Sequence, residues 1–296
     1  MENNPFWQVI GTSIRGAQHI RNGAIRQDAI HWLPEDGAGL PLIVALADGH
    51  GSPTCFRSGI GAIFATIALE SCLLSLVNSL PSIIEPSSIY QYLKELLPRK
   101  ITQSWLELVN DHLGKSPISS QELSHLKEKA GEESIKIIQN KPDIAYGTTI
   151  QGGLLTDRFF LGLQLGDGQI LTVSEDGEIT PLLPDCESLL GNETFSLCNE
   201  DAWNYFSTWF IPIIPGNSSP LFYLFSTDGF VNSFSSNKGV YHWADDLYQM
   251  LYSSQPTLTI QQLAANLPGW LDDVSRLGSG DDITMAMICR SIGKES

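Results

Sequence analysis

Residues 40–52 read LPLIVALADGHGS, and the reading of this stretch decides the fold. The run 40–47 is apolar on both faces, the pattern of a central strand covered on either side rather than an edge strand with one wet face. It ends at Asp48, so a carboxylate stands where the strand leaves the core, followed by Gly49, His50 and Gly51. Ser52-Pro53 then makes a helix entry, because proline at the first helical position gives up no hydrogen bond that was available. A helix running to about residue 80 is expected. Upstream, residues 6–13 and 28–33 have the length and composition of strands. Downstream, residues 86–114 carry helical spacing with a break at Pro98, and Ser119 with Glu122 offers a capping box ahead of a charged helix to about Asn140.

From Tyr146 the pattern changes to an antiparallel meander. Gly147-Thr148-Thr149 opens a strand, 159–165 and 170–174 follow, and Asp167-Gly168 and Asp176-Gly177 mark turns. Residues 180–220, rich in Pro, Ser and Asn, read as a loop-rich excursion over the surface. LFYLFS at 221–226 is another buried strand, this time ending just before Asp228, and helices near 241–254 and 260–273 lead to a last strand at 283–289. No repeat or linker divides the chain, so a single domain over 8–292 with short extensions at 1–7 and 293–296 is expected. The order of elements points to an α+β sandwich.

Composition narrows the function. The chain has 296 residues, 42% of them hydrophobic and 17% charged, with a net charge of −16, which disfavours nucleic acid as the main partner. Five scattered cysteines, Cys55, Cys72, Cys186, Cys198 and Cys289, form no Cys-x-x-Cys pair and fit neither a disulfide framework nor a zinc site. Residues 59–80 are apolar enough to raise the question of a membrane span, but Glu70 and Asn78 interrupt them and a buried helix is expected. The start of the chain carries no leader pattern, so the cytoplasm is the expected compartment and no membrane is expected.

The aspartates are the informative feature. Asp28 sits at a strand start, Asp48 and Asp228 follow apolar strands, Asp167 follows LGLQLG, and Asp281-Asp282 precede ITMAMI. A carboxylate beside a core is costly unless something offsets its charge, and hard cations such as Mg²⁺ or Mn²⁺ take oxygen ligands of this kind. Asp36-Gly37 and Asp176-Gly177 read instead as ordinary turns.

Taken together, the segments GTSIRGAQHIRNGAIRQDAI, VALADGHGS, AYGTTI, LGLQLGDGQIL, FSTDGFVNSF and GSGDDITMAMI resemble, in this order, the metal-dependent serine/threonine protein phosphatases of type 2C. The resemblance spans residues 8–290. It implies a four-layer α+β sandwich of two central antiparallel sheets flanked by helices, with two Mn²⁺ or Mg²⁺ ions at one edge. It also implies that Asp48 and the carbonyl of Gly49 bridge the ions, that Asp228 and Asp281 hold one of them, and that Asp28 holds the other partly through water. Asp167 matches an acid used for a weaker third ion, and His50 matches a histidine proposed as general acid.

The chemistry implied is hydrolysis of phosphoserine and phosphothreonine. Cations reverse the local potential of an acidic protein toward a phosphate dianion and make a water nucleophilic near neutral pH, so that it attacks in line with no phosphoenzyme. The expected partners are a phosphorylated protein substrate and an opposing Ser/Thr kinase, and a monomer is expected. The chain departs from the family pattern in places. Gly23 stands where an arginine commonly binds the substrate phosphate; on an extended strand Arg21 shares its face, so Arg21 and then His19 are the candidates to replace it. Gln27 precedes Asp28 in place of an acid, Gly168-Gln169 replaces Ser-Arg, Asp282 replaces an asparagine, and Asn232 stands where a third-ion aspartate is common, which counts against a third ion. The competing expectation is a pseudophosphatase that binds phosphoproteins without turning them over; retention of Asp28, Asp48, Asp228 and Asp281 argues for the enzyme.

Overall fold

Along β3 (Leu42–Ala47) side chains alternate between two different interiors, which is why the run has no polar face. Leu42, Val44 and Leu46 enter a core between two sheets, while Ile43, Ala45 and Ala47 enter a core shared with helices. The computed structural model describes residues 6–79, 92–182, 194–214 and 220–291. Pro86, where a helix start is expected, and Cys186 lie outside the described residues.

One sheet runs in the order β1 (Phe6–Ile14), β10 (Ile283–Ser291), β9 (Phe222–Ser226), β6 (Gln169–Val173), β7 (Ile179–Pro181). The other runs β2 (Ala29–Leu33), β3, β4 (Ile150–Leu155), β5 (Phe159–Leu165), β8 (Ser207–Pro212), and every adjacent pair in both is antiparallel. Between the sheets the rings of Phe160 and Tyr223 stack with centroids 3.8 Å apart. Outside the second sheet lie α2 (Ser58–Ser79) and α3 (Leu97–Lys115), tied together by the indole of the fully buried Trp105, which donates to the carbonyl of Gly61 at 3.0 Å. Outside the first lie α7 (Asn237–Tyr252) and α8 (Ile260–Leu277), whose Val240, Ala244, Leu263 and Leu267 pack on β9 and β10. The result is the expected four-layer α+β sandwich.

By length and composition α2 could cross a membrane. Here it is a core helix on one side, burying Ala62, Ala65, Leu69 and Leu73, and exposed on the other at Ile63, Ile67 and Leu74.

Four local expectations change. The helix expected from Ser52-Pro53 opens as a 3₁₀ turn, Pro53–Cys55, capped by Ser52, and the α-helix starts only at Ser58. The charged helix to Asn140 is two helices, α4 (Ser120–Ala130) and α5 (Glu132–Asn140), separated by Gly131 at φ +82°, although its capping box forms as read. Residues 207–212 are not loop: their alternating Trp209 and Ile211 enter the core between the sheets and make β8 the closing strand. Finally, the stretch around Arg21 is not extended but forms a short helix, α1 (Ala17–Asn22), which ends at Gly23 in the left-handed conformation, φ +67°. The remaining short helix, α6 (Asp228–Val231), begins at the aspartate that follows β9.

Candidate active site

Strand register assembles the acidic residues at one rim of the sandwich. In the second sheet Ala29 pairs with Ala47, so one step further along the ladder Asp28 stands across from Asp48. In the first sheet Gln169 pairs with Ser226, which brings Asp167 and Asp228 to neighbouring positions just beyond the strand ends. Met285 also pairs with Ser226, setting Asp281 and Asp282 at the same end of β10. Asp48 is anchored from the third side by the residues leading into β4, Thr148 and Thr149: Thr149 N and Thr148 Oγ1 donate to its carbonyl, each at 2.8 Å.

Asp48, Asp167, Asp228, Asp281 and Asp282 line a cleft of about 130 Å³ with His19, His50 and Gln27, while the buried Asp28 is not part of its lining. Burial, with neighbouring carboxylates adding to it, raises the carboxyls of Asp28, Asp48 and Asp228 above the ordinary range. Burial, reinforced by the charge of Asp282, raises Asp28 to about 7 despite hydrogen bonds from Thr284 and Thr227. Burial, then the charge of Asp28 and the adjoining carboxylate of Asp228, raises Asp48 well above the carboxylate range. Asp228 is raised chiefly by burial as well.

The glycines after these aspartates have a different job from those in turns. Gly37 and Gly177, after Asp36 and Asp176, take positive φ as turn glycines do. Gly49 and Gly229 do not; a Cβ on Gly229 would stand 2.0 Å from the Asp282 carbonyl oxygen, and one on Gly49 2.7 Å from that of Gln27. Backbone crosses the place of the missing side chain, which lets strand ends from both sheets converge.

The sequence reading missed the part played by Asp282. Its side chain is almost wholly buried and accepts from Gly16 N and Gln27 N, both at 2.6 Å, and from His19 Nδ1 at 2.9 Å. It therefore ties the α1 segment to β10 and sets the plane of the His19 ring, whose Nε2 lies 3.5 Å from Asp281. The signal available was the doubled Asp281-Asp282 itself. His19 lines the cleft as expected of a phosphate ligand, but Arg21 does not. On an extended strand Arg21 would share a face with Gly23; on α1 it is exposed and takes no part in lining the cleft. Arg26 donates to the Ser13 carbonyl instead. Asp167 is exposed and bonded to Thr194 Oγ1 at 2.5 Å, and Asn232 donates to Asp228 Oδ2 at 3.0 Å. His50 is fixed through its backbone N–H to Gly147 O, and burial lowers its imidazole below the ordinary histidine value.

As placed, no three His, Cys, Asp or Glu side chains among the described residues close into a metal-holding set. What fits a cation is the donor chemistry. Asp28 Oδ2 receives two hydroxyl hydrogen bonds while its buried Oδ1 has no partner, and the buried Oδ1 of Asp228 has none either. An unpartnered buried carboxylate oxygen is costly in a protein alone and is what a hard divalent ion takes.

A family profile described as protein phosphatase 2C matches residues 15–272. No curated protein sequence matches. Among solved structures, the fold is similar to that of the Staphylococcus aureus serine/threonine phosphatase Stp1, at 14% identity and TM-score 0.53, covering 97% of this chain and 95% of that one. It is similar also to the Mycobacterium tuberculosis serine/threonine phosphatase PstP, at 17% identity and TM-score 0.53, over 96% and 98%. A structure of the PstP catalytic domain in complex with two manganese ions aligns at 17% identity and TM-score 0.50, over 98% and 100%.

Proposed function

This chain belongs to the protein phosphatase 2C family, and on that premise we propose that it hydrolyses phosphoserine and phosphothreonine in proteins with two Mn²⁺ or Mg²⁺ ions and no phosphoenzyme. The observation that carries this reading is the convergence of strand-end aspartates on one rim with two buried carboxylate oxygens left unpartnered. In this reading Asp48, the carbonyl of Gly49, Asp228, Asp281 and Asp28 would hold the ions. When bound, the ions neutralise the rim toward a phosphate dianion and make water acidic enough to serve as nucleophile near neutral pH. The PstP complex with two manganese ions supports that choice of cofactor.

The protein's own groups do the rest. His19, its ring set by Asp282, is the nitrogen donor in the cleft available to the substrate phosphate in place of Arg21. His50 gives a proton to the departing serine or threonine oxygen. Its lowered pKa makes it a stronger acid but shrinks the protonated fraction as pH rises, so its contribution falls on the alkaline side. Thr194 and Asn232 already donate hydrogen bonds to Asp167 and Asp228, the acids a third ion would need, which favours two. A Ser/Thr kinase supplies the substrate.

The test is turnover of a phosphoserine peptide with added Mn²⁺, with Mg²⁺, and after chelation. Activity is expected only with metal; undiminished turnover in a chelated sample rejects the mechanism, and no turnover with either metal leaves the binding-module reading standing.

A further inference from the structure

The cleft does not end at the metal rim. It opens into a groove of about 790 Å³ that shares His19, Gln27, Gly51 and Asp281 with it. One wall of this groove is α1 with its cap, and the other is α4, which presents Glu122, His125, Leu126 and Lys129. That spacing is a single helical face. Leu126 anchors the helix in the core, and Glu122 is held by both its oxygens to the buried Arg57, so its charge is already matched. Neighbouring basic residues on this arm are also paired, Lys127 with Glu132 and Lys136 with Glu133. Lys129 has no carboxylate partner among the described residues. It is also the one lysine or arginine among the residues lining cleft and groove.

We infer that this groove takes the polypeptide flanking the phosphorylated residue and that Lys129 selects substrates carrying an acidic side chain there. The inference rests on the phosphatase reading. A peptide whose phosphate sits at the rim must leave it along an open path, and this groove is one that adjoins the His19 side of the rim. Elsewhere the surface is strongly acidic, at net −16, so a single unmatched ammonium on a fixed helix face gives a local preference opposite to the general field. At a site of this exposure the effect is one of discrimination rather than of large affinity.

The experiment compares kcat/KM for two phosphoserine peptides, identical but for Asp or Lys at the flanking positions, in the wild type and in Lys129→Glu, Lys129→Arg and Lys127→Glu. Lys129→Glu is expected to shift the Asp-to-Lys peptide ratio toward the Lys peptide by roughly threefold to tenfold. Lys129→Arg should keep the wild-type ratio, and Lys127→Glu, the same change of charge on a residue already paired outside the groove, should leave it alone. Equal shifts in Lys129→Glu and Lys127→Glu mean that only the long-range field acts, and overturn the inference. So does an unmoved ratio in Lys129→Glu. Wild-type turnover of p-nitrophenyl phosphate with Mn²⁺ reads the phosphatase reading separately: if it is present and the ratio does not respond, the groove assignment alone is wrong, and if it is absent both fail.

Discussion

Two buried charged clusters lie on either side of the Asp-Gly-His-Gly turn, and they are built on opposite terms. At the acidic rim, carboxylates face carboxylates, burial raises Asp28 to about 7, and two buried oxygens have no partner. Behind the turn, at the start of α2, Arg57 uses all five N–H donors: two on Glu122 at 2.7 and 2.9 Å, one on Tyr146 Oη at 2.6 Å, and two on the carbonyls of Ser116 and Pro117. Tyr146 Oη is bonded in turn to His112 Nδ1 at 2.7 Å. The pairing with Arg57 holds Glu122 down at about 2. Burial raises the carboxyls of the first cluster, whereas hydrogen bonds from Arg57 outweigh burial at the half-buried Glu122 of the second. Because Arg57 follows the turn that carries His50 and Tyr146 precedes the Gly147-Thr148-Thr149 segment that brackets Asp48, the satisfied cluster holds the unsatisfied one in place.

The comparison breaks most visibly on substitution of the rim. Asp48→Ala or Asp228→Ala should lower metal-dependent turnover by on the order of a thousandfold or more, since each removes an expected metal ligand. The metal-free melting temperature should hold or rise, because like-charge repulsion is relieved. Either variant with wild-type turnover, or with a wild-type melting response to Mn²⁺, places the ions elsewhere.

Arg57→Met should do the reverse. It removes the five guanidinium hydrogen bonds, leaving Tyr146 Oη with His112 and Glu122 with Ser119, and is expected to cost roughly 2 kcal/mol of stability. Activity should persist below the lowered melting temperature. Thermal unfolding beside kinetics at low temperature checks both halves.

Protonation should sharpen the contrast. Asp28 has a folded-state pKa of about 7 against 3.8 for the free side chain, so the folded metal-free protein binds the proton more tightly and should gain stability as pH falls from about 7 toward 4. Glu122 is depressed to about 2 from 4.5, so its contribution is complete above about 4.5 and is lost as pH falls from there to 2. A metal-free melting curve should therefore rise and then fall on acidification. Mn²⁺ should abolish the rise, Asp28→Asn should reduce it while Asp48 and Asp228 keep part of it, and Arg57→Met should flatten the fall.

The smallest effect is expected at Gly23. No atom lies within 4 Å of a Cβ placed there, but φ is +67°, so Gly23→Arg should cost about 1 kcal/mol through backbone strain alone. The KM for an aryl phosphate should be unchanged. A clear fall in KM would show that the cap of α1 reaches the phosphate after all.

Much of the sandwich was legible because its strands are buried on both faces. The runs ending at Asp48 and Asp228 announce themselves as central strands, and the aspartates mark where they leave the core. β8 was not legible: Ser207–Pro212 sits at an edge, among Pro, Ser and Asn, and becomes a strand only because β5 offers it a partner. The Arg21 argument failed for a related reason. Strand periodicity was assumed for a six-residue segment, whereas Gly16 and Gly23 bound it as a helix whose conformation depends on Asp282 and Ser275 taking the backbone N–H groups of Gly16 and Ala17.

Hydrophobic runs and short motifs, local in the chain, were enough to mark which carboxylates stand at strand ends, the α+β class and the family, and the layer order came with the family resemblance. Only the tertiary structure decided that Asp282 clamps His19, that Arg21 lies outside the cleft, that Arg57 matches Glu122 from 65 residues away, and that Lys129 is left unmatched on a groove. Those are relations between elements distant in sequence. They depend on strand register and on which helix face meets the sheet, and no periodicity along the chain records either one.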